Sequence, residues 1–194
     1  MSKSIDINTN TIERGVPPQR FLLWIFIASI VMMFTALTSA VIVRKSSGVW
    51  HSFHMSDLFL YSSLIVLLSS VALQIASKFE KSNNINLVKT FLSVTFLLGG
   101  LFLITQWYGW VDLVNNGIYL SDYKSVSGSF LYIISGLHGL HIIGGLILLF
   151  ILIMKLYLKK NIANLSFSIS QIAIYWHFVG GLWIYLYLFF LFNY

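Results

Sequence analysis

Cysteine is absent from this chain, which excludes disulfides, thiolate zinc sites and iron–sulfur clusters. Charge is nearly as scarce. Only 9% of residues are Asp, Glu, Lys or Arg, against about 25% in a soluble domain. That deficit is too large for a water-facing surface, so lipid must cover much of the chain. No glycine-rich phosphate loop, no defensible Ser/His/Asp spacing and no carboxylate pair occurs. The two prolines stand together as Pro17-Pro18 and mark a stiff exit from a polar, disordered tail over residues 1–20.

What is present is apolar. Hydrophobic residues make up 58% of the 194 positions. They gather into five runs, roughly 21–43, 58–77, 90–111, 128–154 and 169–192, none of which contains Asp, Glu, Lys or Arg. Each run reaches the length of about 20 residues that a helix needs to cross a bilayer. None alternates at period two, which excludes barrel strands. The sequence therefore predicts an all-α membrane bundle of five transmembrane helices over 21–194, as one domain. The first run exceeds the 7–15 residues of a signal-peptide core, so Thr38-Ser39-Ala40 is read as part of a retained span rather than a cleavage site.

Orientation follows from the lysines and arginines. Nine of the twelve flank the tail side of the runs and three flank the other. Positive charge marks the cytoplasmic face, so the N-terminus is expected in the cytoplasm and the C-terminus outside, in the periplasm. This asymmetry accounts for the net charge of +6 without a nucleic-acid partner. Loops are short, which favours antiparallel neighbours. Small residues should let helices approach closely: Thr35, Ala36, Ser39 and Ala40 on the first span, Gly99 and Gly100 on the third, Ser135, Gly136, Gly139, Gly144 and Gly145 on the fourth, and Gly180 and Gly181 on the fifth. Trp107, Tyr108 and Trp110 are placed to anchor the outer interface.

The chemistry available inside the membrane reduces to three imidazoles. Pumps and ion-coupled transporters keep ionisable groups in the bundle. Here the spans hold only His138, His141 and His177, and Gln74, Gln106 and Gln171 are too scattered to line a water path. His138 and His141 share a helix face. At about 1.5 Å per residue, His141 and His177 both fall near mid-depth on adjacent antiparallel spans. Two readings follow: a bis-histidine haem b anchor, or buried imidazoles bonded to a neighbouring helix or to a backbone carbonyl. No Arg or Lys at that depth could hold haem propionates, which favours the second. His51 and His54 in the first outer loop have no third ligand and read as interfacial polar residues.

The run Ser135-Gly136-Leu137-His138-Gly139-Leu140-His141-Ile142-Ile143-Gly144-Gly145 resembles the signature helix of subunit III of haem-copper terminal oxidases. Tyr175-Trp176-His177-Phe178-Val179, followed by Trp183, is similar to that family's last helix, and a weaker likeness extends over all five spans. The chain thus resembles the short bacterial form that lacks the family's first two helices.

The resemblance implies a structural, non-catalytic subunit of a proton-pumping oxidase in the bacterial plasma membrane. The first helix, ending Thr38-Ser39-Ala40, suits the cytochrome c branch more than the quinol branch. The resemblance implies no redox centre in this chain, haem and copper in subunits I and II as partners, bound phospholipid, and a possible place in a respiratory supercomplex. It makes His138, Gly139, His141, Gly145, Trp176, His177, Gly180, Gly181 and Trp183 helix-packing or subunit-interface positions, with the two tryptophans at the helix surface. Ile30 stands where the family often has glutamate, and Gly180 where many members have aspartate. Both departures speak against direct proton handling.

Overall fold

A computed structural model describes residues 18–46, 50, 53, 55–82, 84–120, 126–158 and 165–194. The polar tail up to residue 17, His51, His54 and Lys124 lie outside the described residues. Five helices account for nearly everything described: α1 (Pro18–Ser46), α2 (Leu58–Lys81), α3 (Ile85–Asn115), α4 (Val126–Tyr157) and α5 (Leu165–Asn193). No strand occurs among the described residues. All five are long and apolar enough to cross a membrane. At most 39% of any span's most apolar window is buried inside the chain, so most of the apolar surface must meet lipid or other subunits.

Each helix overruns its apolar run by a few residues. The runs end where charge begins, but the backbone hydrogen-bond ladder continues into the interface. Lys78 and Lys81 end α2, Lys155 ends α4, and Arg44 and Lys45 end α1. These cations lie where the helix dipole is negative. Helix α3 closes on Gly117, the one residue with a left-handed backbone (φ +79°) among the described glycines. Its N–H donates to Val114 O, and Ile118 N–H donates to Leu113 O, each at 3.0 Å. That is the Schellman arrangement, which glycine adopts without the penalty a Cβ brings.

Helices α2, α3, α4 and α5 form a ring in which each packs on the next and α5 returns to α2. Helix α1 stands outside the ring and packs on α4 and α5 alone. It buries Ile27, Ile30, Phe34, Thr38 and Val41, a 3–4 spacing that makes one face. The expected small-residue stripe is the opposite face: Thr35, Ala36, Ser39 and Ala40 are all exposed, so α1 approaches the ring through bulkier side chains.

At one end, Arg20 of α1 lies over the Phe167 ring of α5 and Lys89 of α3 over Tyr157 of α4. At the other, Lys45 Nζ and Trp50 Nε1 both donate to Asn193 O, at 3.1 and 3.0 Å. Trp50 and Phe53 close on the ring of Tyr194. Burial among these rings pushes the Tyr194 hydroxyl pKa up.

Candidate functional site

The interior of the ring is built around two tryptophans of α5. Trp176 and Trp183 are 1% and 0% exposed, so they hold this chain's own helices together rather than standing at its surface. A buried indole needs an acceptor for its N–H, and α2 supplies one to each. Trp176 Nε1 donates to Ser69 Oγ at 2.9 Å, and Trp183 Nε1 to Ser63 Oγ at 3.0 Å. Two turns from Ser69, Ser62 Oγ accepts from Gln106 Nε2 of α3 at 2.8 Å. Each serine also donates to its own helix, Ser62 and Ser63 to Phe59 O and Ser69 to Val66 O. Helix α2 thus presents a ladder of hydroxyls that cross-links α3 and α5. On the far side, Trp110 Nε1 donates to Ser135 Oγ of α4 at 3.0 Å.

Two glycines make room for Trp176. A Cβ on Gly99 of α3 would lie 2.7 Å from Trp176 Cη2, and one on Gly145 of α4 would lie 3.1 Å from Trp176 Cζ3. One indole therefore spans the bundle, wedged between α3 and α4 while bonded to α2. Gly180 lets α5 approach α2, since its Cβ would lie 3.3 Å from Ser70 Oγ. Gly139 has only Leu103 at 3.9 Å, and Gly181 has nothing within 4 Å and faces outward. Of the glycines expected to pack, Gly99, Gly145 and Gly180 do so closely, Gly136, Gly139 and Gly144 meet a neighbour only at 3.7 to 4.0 Å, and Gly100 and Gly181 have none within 4 Å.

The three imidazoles occupy different surroundings. His138 is fully buried, and neither ring nitrogen has a hydrogen-bond partner. Aromatic rings enclose it: Trp183 at 5.0 Å between centroids, Phe102 at 5.8 Å and Phe34 at 6.3 Å, the last two edge-on. Edge-on geometry lets an N–H meet a π face, a weak substitute for a hydrogen bond. His138, read from the sequence as a helix-packing position, packs among these rings and makes no hydrogen bond among the described residues.

His141 Nδ1 sits 2.7 Å from Leu137 O of its own helix, with its ring beside Phe26 and Phe34 of α1. The Tyr175 hydroxyl donates to the His141 carbonyl at 2.9 Å. His177 Nε2 lies 3.1 Å from Gln74 Oε1 of α2, where the N–H donates. His141 and His177 thus bond different helices, α4 and α2, with one ring nitrogen each. No group of three or more His, Asp or Glu able to hold a metal occurs among the described residues.

The sequence reading overlooked Ser62, Ser63 and Ser69. Their signal was available: Ser62-Ser63, Ser69-Ser70 and Ser77 recur at seven-residue spacing along α2, which keeps them on one helix face. Of the three glutamines, Gln74 and Gln106 are helix-to-helix bonding groups, and the Gln171 amide has no partner among the described residues.

Five spanning helices and an uncharged interior cross-linked by hydroxyl, indole and amide groups define a multi-pass membrane protein. Its polar residues hold helices to one another. The family profile described as cytochrome c oxidase subunit III matches residues 6–194, and the chain belongs to that family. It is similar to the cytochrome bo(3) ubiquinol oxidase subunit 3 of Buchnera aphidicola subsp. Baizongia pistaciae, at 26% identity over 97% of this chain and 96% of that one. It is also similar to cytochrome c oxidase subunit 3 of Corynebacterium diphtheriae, at 26% identity over 82% and 80% of the two chains. A probable cytochrome c oxidase subunit 3 of Nocardia farcinica is 37% identical over 47% of this chain and 44% of its own. This chain is thus a haem-copper oxidase subunit III that belongs in an oxidase complex.

Proposed function

We propose that the chain is the non-catalytic subunit III of a proton-pumping cytochrome c oxidase in a bacterial plasma membrane, packed beside subunits I and II with its N-terminus in the cytoplasm. The observation that carries this reading is the interior of the ring. Its indoles bond to α2 serines, His141 to its own helix and His177 to α2, and His138 is enclosed by rings. Among the described residues these interior groups are taken up in packing and helix-to-helix bonds, which supports a structural role. Haem and copper belong to the partner subunits, which carry the oxygen chemistry. This chain adds a close-packed helical layer to their apolar flank. In lipid, such a layer gains its energy from van der Waals packing rather than from the hydrophobic effect.

A second reading places the chain in a quinol oxidase. It is favoured by the ubiquinol oxidase relative that aligns over nearly the whole length of both chains. Purification of the tagged chain in gentle detergent, with mass spectrometry of co-purifying subunits, tests the shared proposal. Catalytic and copper-bearing oxidase subunits should come with it in fixed stoichiometry. Their absence under conditions that keep other respiratory complexes whole would overturn it. Oxygen uptake by the same preparation with reduced cytochrome c, then with quinol, separates the two branches.

A further inference from the structure

We propose that the outward face of α2 and α5 around Gln74 and His177 docks a transmembrane helix of another subunit, one that lays a hydroxyl or carboxamide side chain against this pair and a lysine or arginine against Glu80. The inference rests on the reading that the chain sits in an oxidase complex, and adds to it the face, the residues and the chemistry of the contact.

The pair is out of place against lipid. Gln74 lies seven residues, about 10 Å, inside Lys81. It is exposed, and His177 is half-buried. Elsewhere the exposed face of α2 is bulky and apolar, with Leu60, Leu64, Leu67, Leu68 and Val71. An amide and an imidazole turned toward bare hydrocarbon are costly, and polar side chains in membrane helices bond across to other helices. The His177 Nε2–H donates to Gln74 Oε1 at 3.1 Å. That bond leaves one acceptor, His177 Nδ1, and two donors, the Gln74 amide hydrogens. A group that both donates and accepts satisfies them together. A hydroxyl or a carboxamide does so, whereas an ester carbonyl only accepts and an ammonium only donates.

The surroundings suit the close approach of a helix. The groove between α2 and α5 has a volume of about 260 Å³, and Ser77, Ser170 and Ala173 line it beside the pair. One turn beyond His177, Gly181 is exposed, with nothing within 4 Å of its Cβ position. A 10 Å length of helix about 10 Å wide fills about 800 Å³. The groove is therefore too small to take a helix and large enough for one or two side chains of a helix lying over it. Small residues let two backbones approach in this way.

Charge fixes which end of the partner lies where. Glu80 borders the same groove and accepts from Ser166 Oγ at 3.2 Å. It is the one acid at the lysine-rich end among the described residues. Lysine and arginine gather at the cytoplasmic ends of membrane helices, so a neighbouring helix with that end beside Glu80 brings the complementary charge. Gln74 and Glu80 are six residues apart, about 9 Å along the axis. The docked helix should thus carry its polar side chain six or seven residues from a basic one.

Photo-crosslinking in the intact complex tests this, with a photoreactive phenylalanine analogue placed at Val71 and, separately, at Gly181. Both should cross-link to one transmembrane helix of another subunit, with a Ser, Thr, Asn or Gln level with Gln74 and a Lys or Arg six or seven residues toward the cytoplasm. Gln74→Leu should release the chain from the solubilised complex about threefold faster, the worth of one interhelical hydrogen bond. Glu80→Gln, which keeps an acceptor for Ser166, should speed release at low salt and lose the effect at high salt. Cross-links to lipid alone while the other subunits co-purify, a cross-linked helix with only apolar residues level with Gln74, or an unchanged release rate in either variant would each overturn the inference and leave the subunit reading standing. Loss of the other subunits from the wild-type preparation would overturn that reading and the inference with it.

Discussion

Trp176 shows how much one side chain can organise when lipid removes the hydrophobic contrast between inside and outside. Its ring fills the space that Gly99 and Gly145 leave open, and its N–H reaches Ser69. Gly99→Ala should therefore destabilise the chain by about 1–3 kcal/mol through overpacking, because the added methyl meets a rigid indole 2.7 Å away and Leu146 at 2.8 Å. Gly181→Ala, with nothing within 4 Å, should change stability by less than about 0.5 kcal/mol. Thermal unfolding of both variants in the same detergent checks the contrast. A double-mutant cycle of Trp176→Phe and Ser69→Ala should return a coupling of about 0.6 kcal/mol, the usual size for interhelical hydrogen bonds in membranes. His138 makes the opposite prediction. Replacing an unpaired buried imidazole with a ring of similar shape removes a desolvated polar group. His138→Phe should then hold or raise the melting temperature, and a loss above about 2 kcal/mol would reveal a partner for that imidazole.

At the scale of elements, helix existence was far more legible than helix orientation. Charge-free runs located all five helices, because charge is what a bilayer core excludes. Which face turns inward was not legible for α1 or α5, since both faces of a membrane helix are apolar and periodicity has nothing to contrast. Thr35, Ala36, Ser39 and Ala40 read as a packing stripe and face outward, while Trp176 and Trp183 read as surface aromatics and lie at the centre. Composition could not reveal that the indoles meet acceptors on α2, because a serine in an apolar run does not announce its partner.

Two tests belong at this scale. Ala36→Leu and Ala40→Leu should leave the unfolding of the isolated chain within about 0.5 kcal/mol, and a large loss would place that stripe inside. Gly117→Ala should cost about 1 kcal/mol from its left-handed backbone alone, since no neighbouring atom lies within 4 Å. Chemical unfolding at the two sites, read against wild type, separates a conformational cost from a steric one.

For the whole molecule, the ring of α2, α3, α4 and α5 is a closed object with an outlying helix, and its lipid-facing surface exceeds its interior. That proportion suits a subunit whose apolar sides are covered by others. The site residues follow the same division. Gly145, Trp176, Gly180 and Trp183 fasten helices, His141 bonds its own helix beside two rings of α1, His138 packs among rings, and His177 with Gln74 opens to the outside. On the function proposed above, these imidazoles are structural and the redox chemistry lies in neighbouring subunits. The most direct measurement is a reduced-minus-oxidised visible spectrum of the chain after it is separated, still folded, from its complex. No haem band is expected from the separated chain, with the whole signal following the other subunits. A haem b band that stays with the separated chain and disappears in His141→Ala or His177→Ala would contradict it.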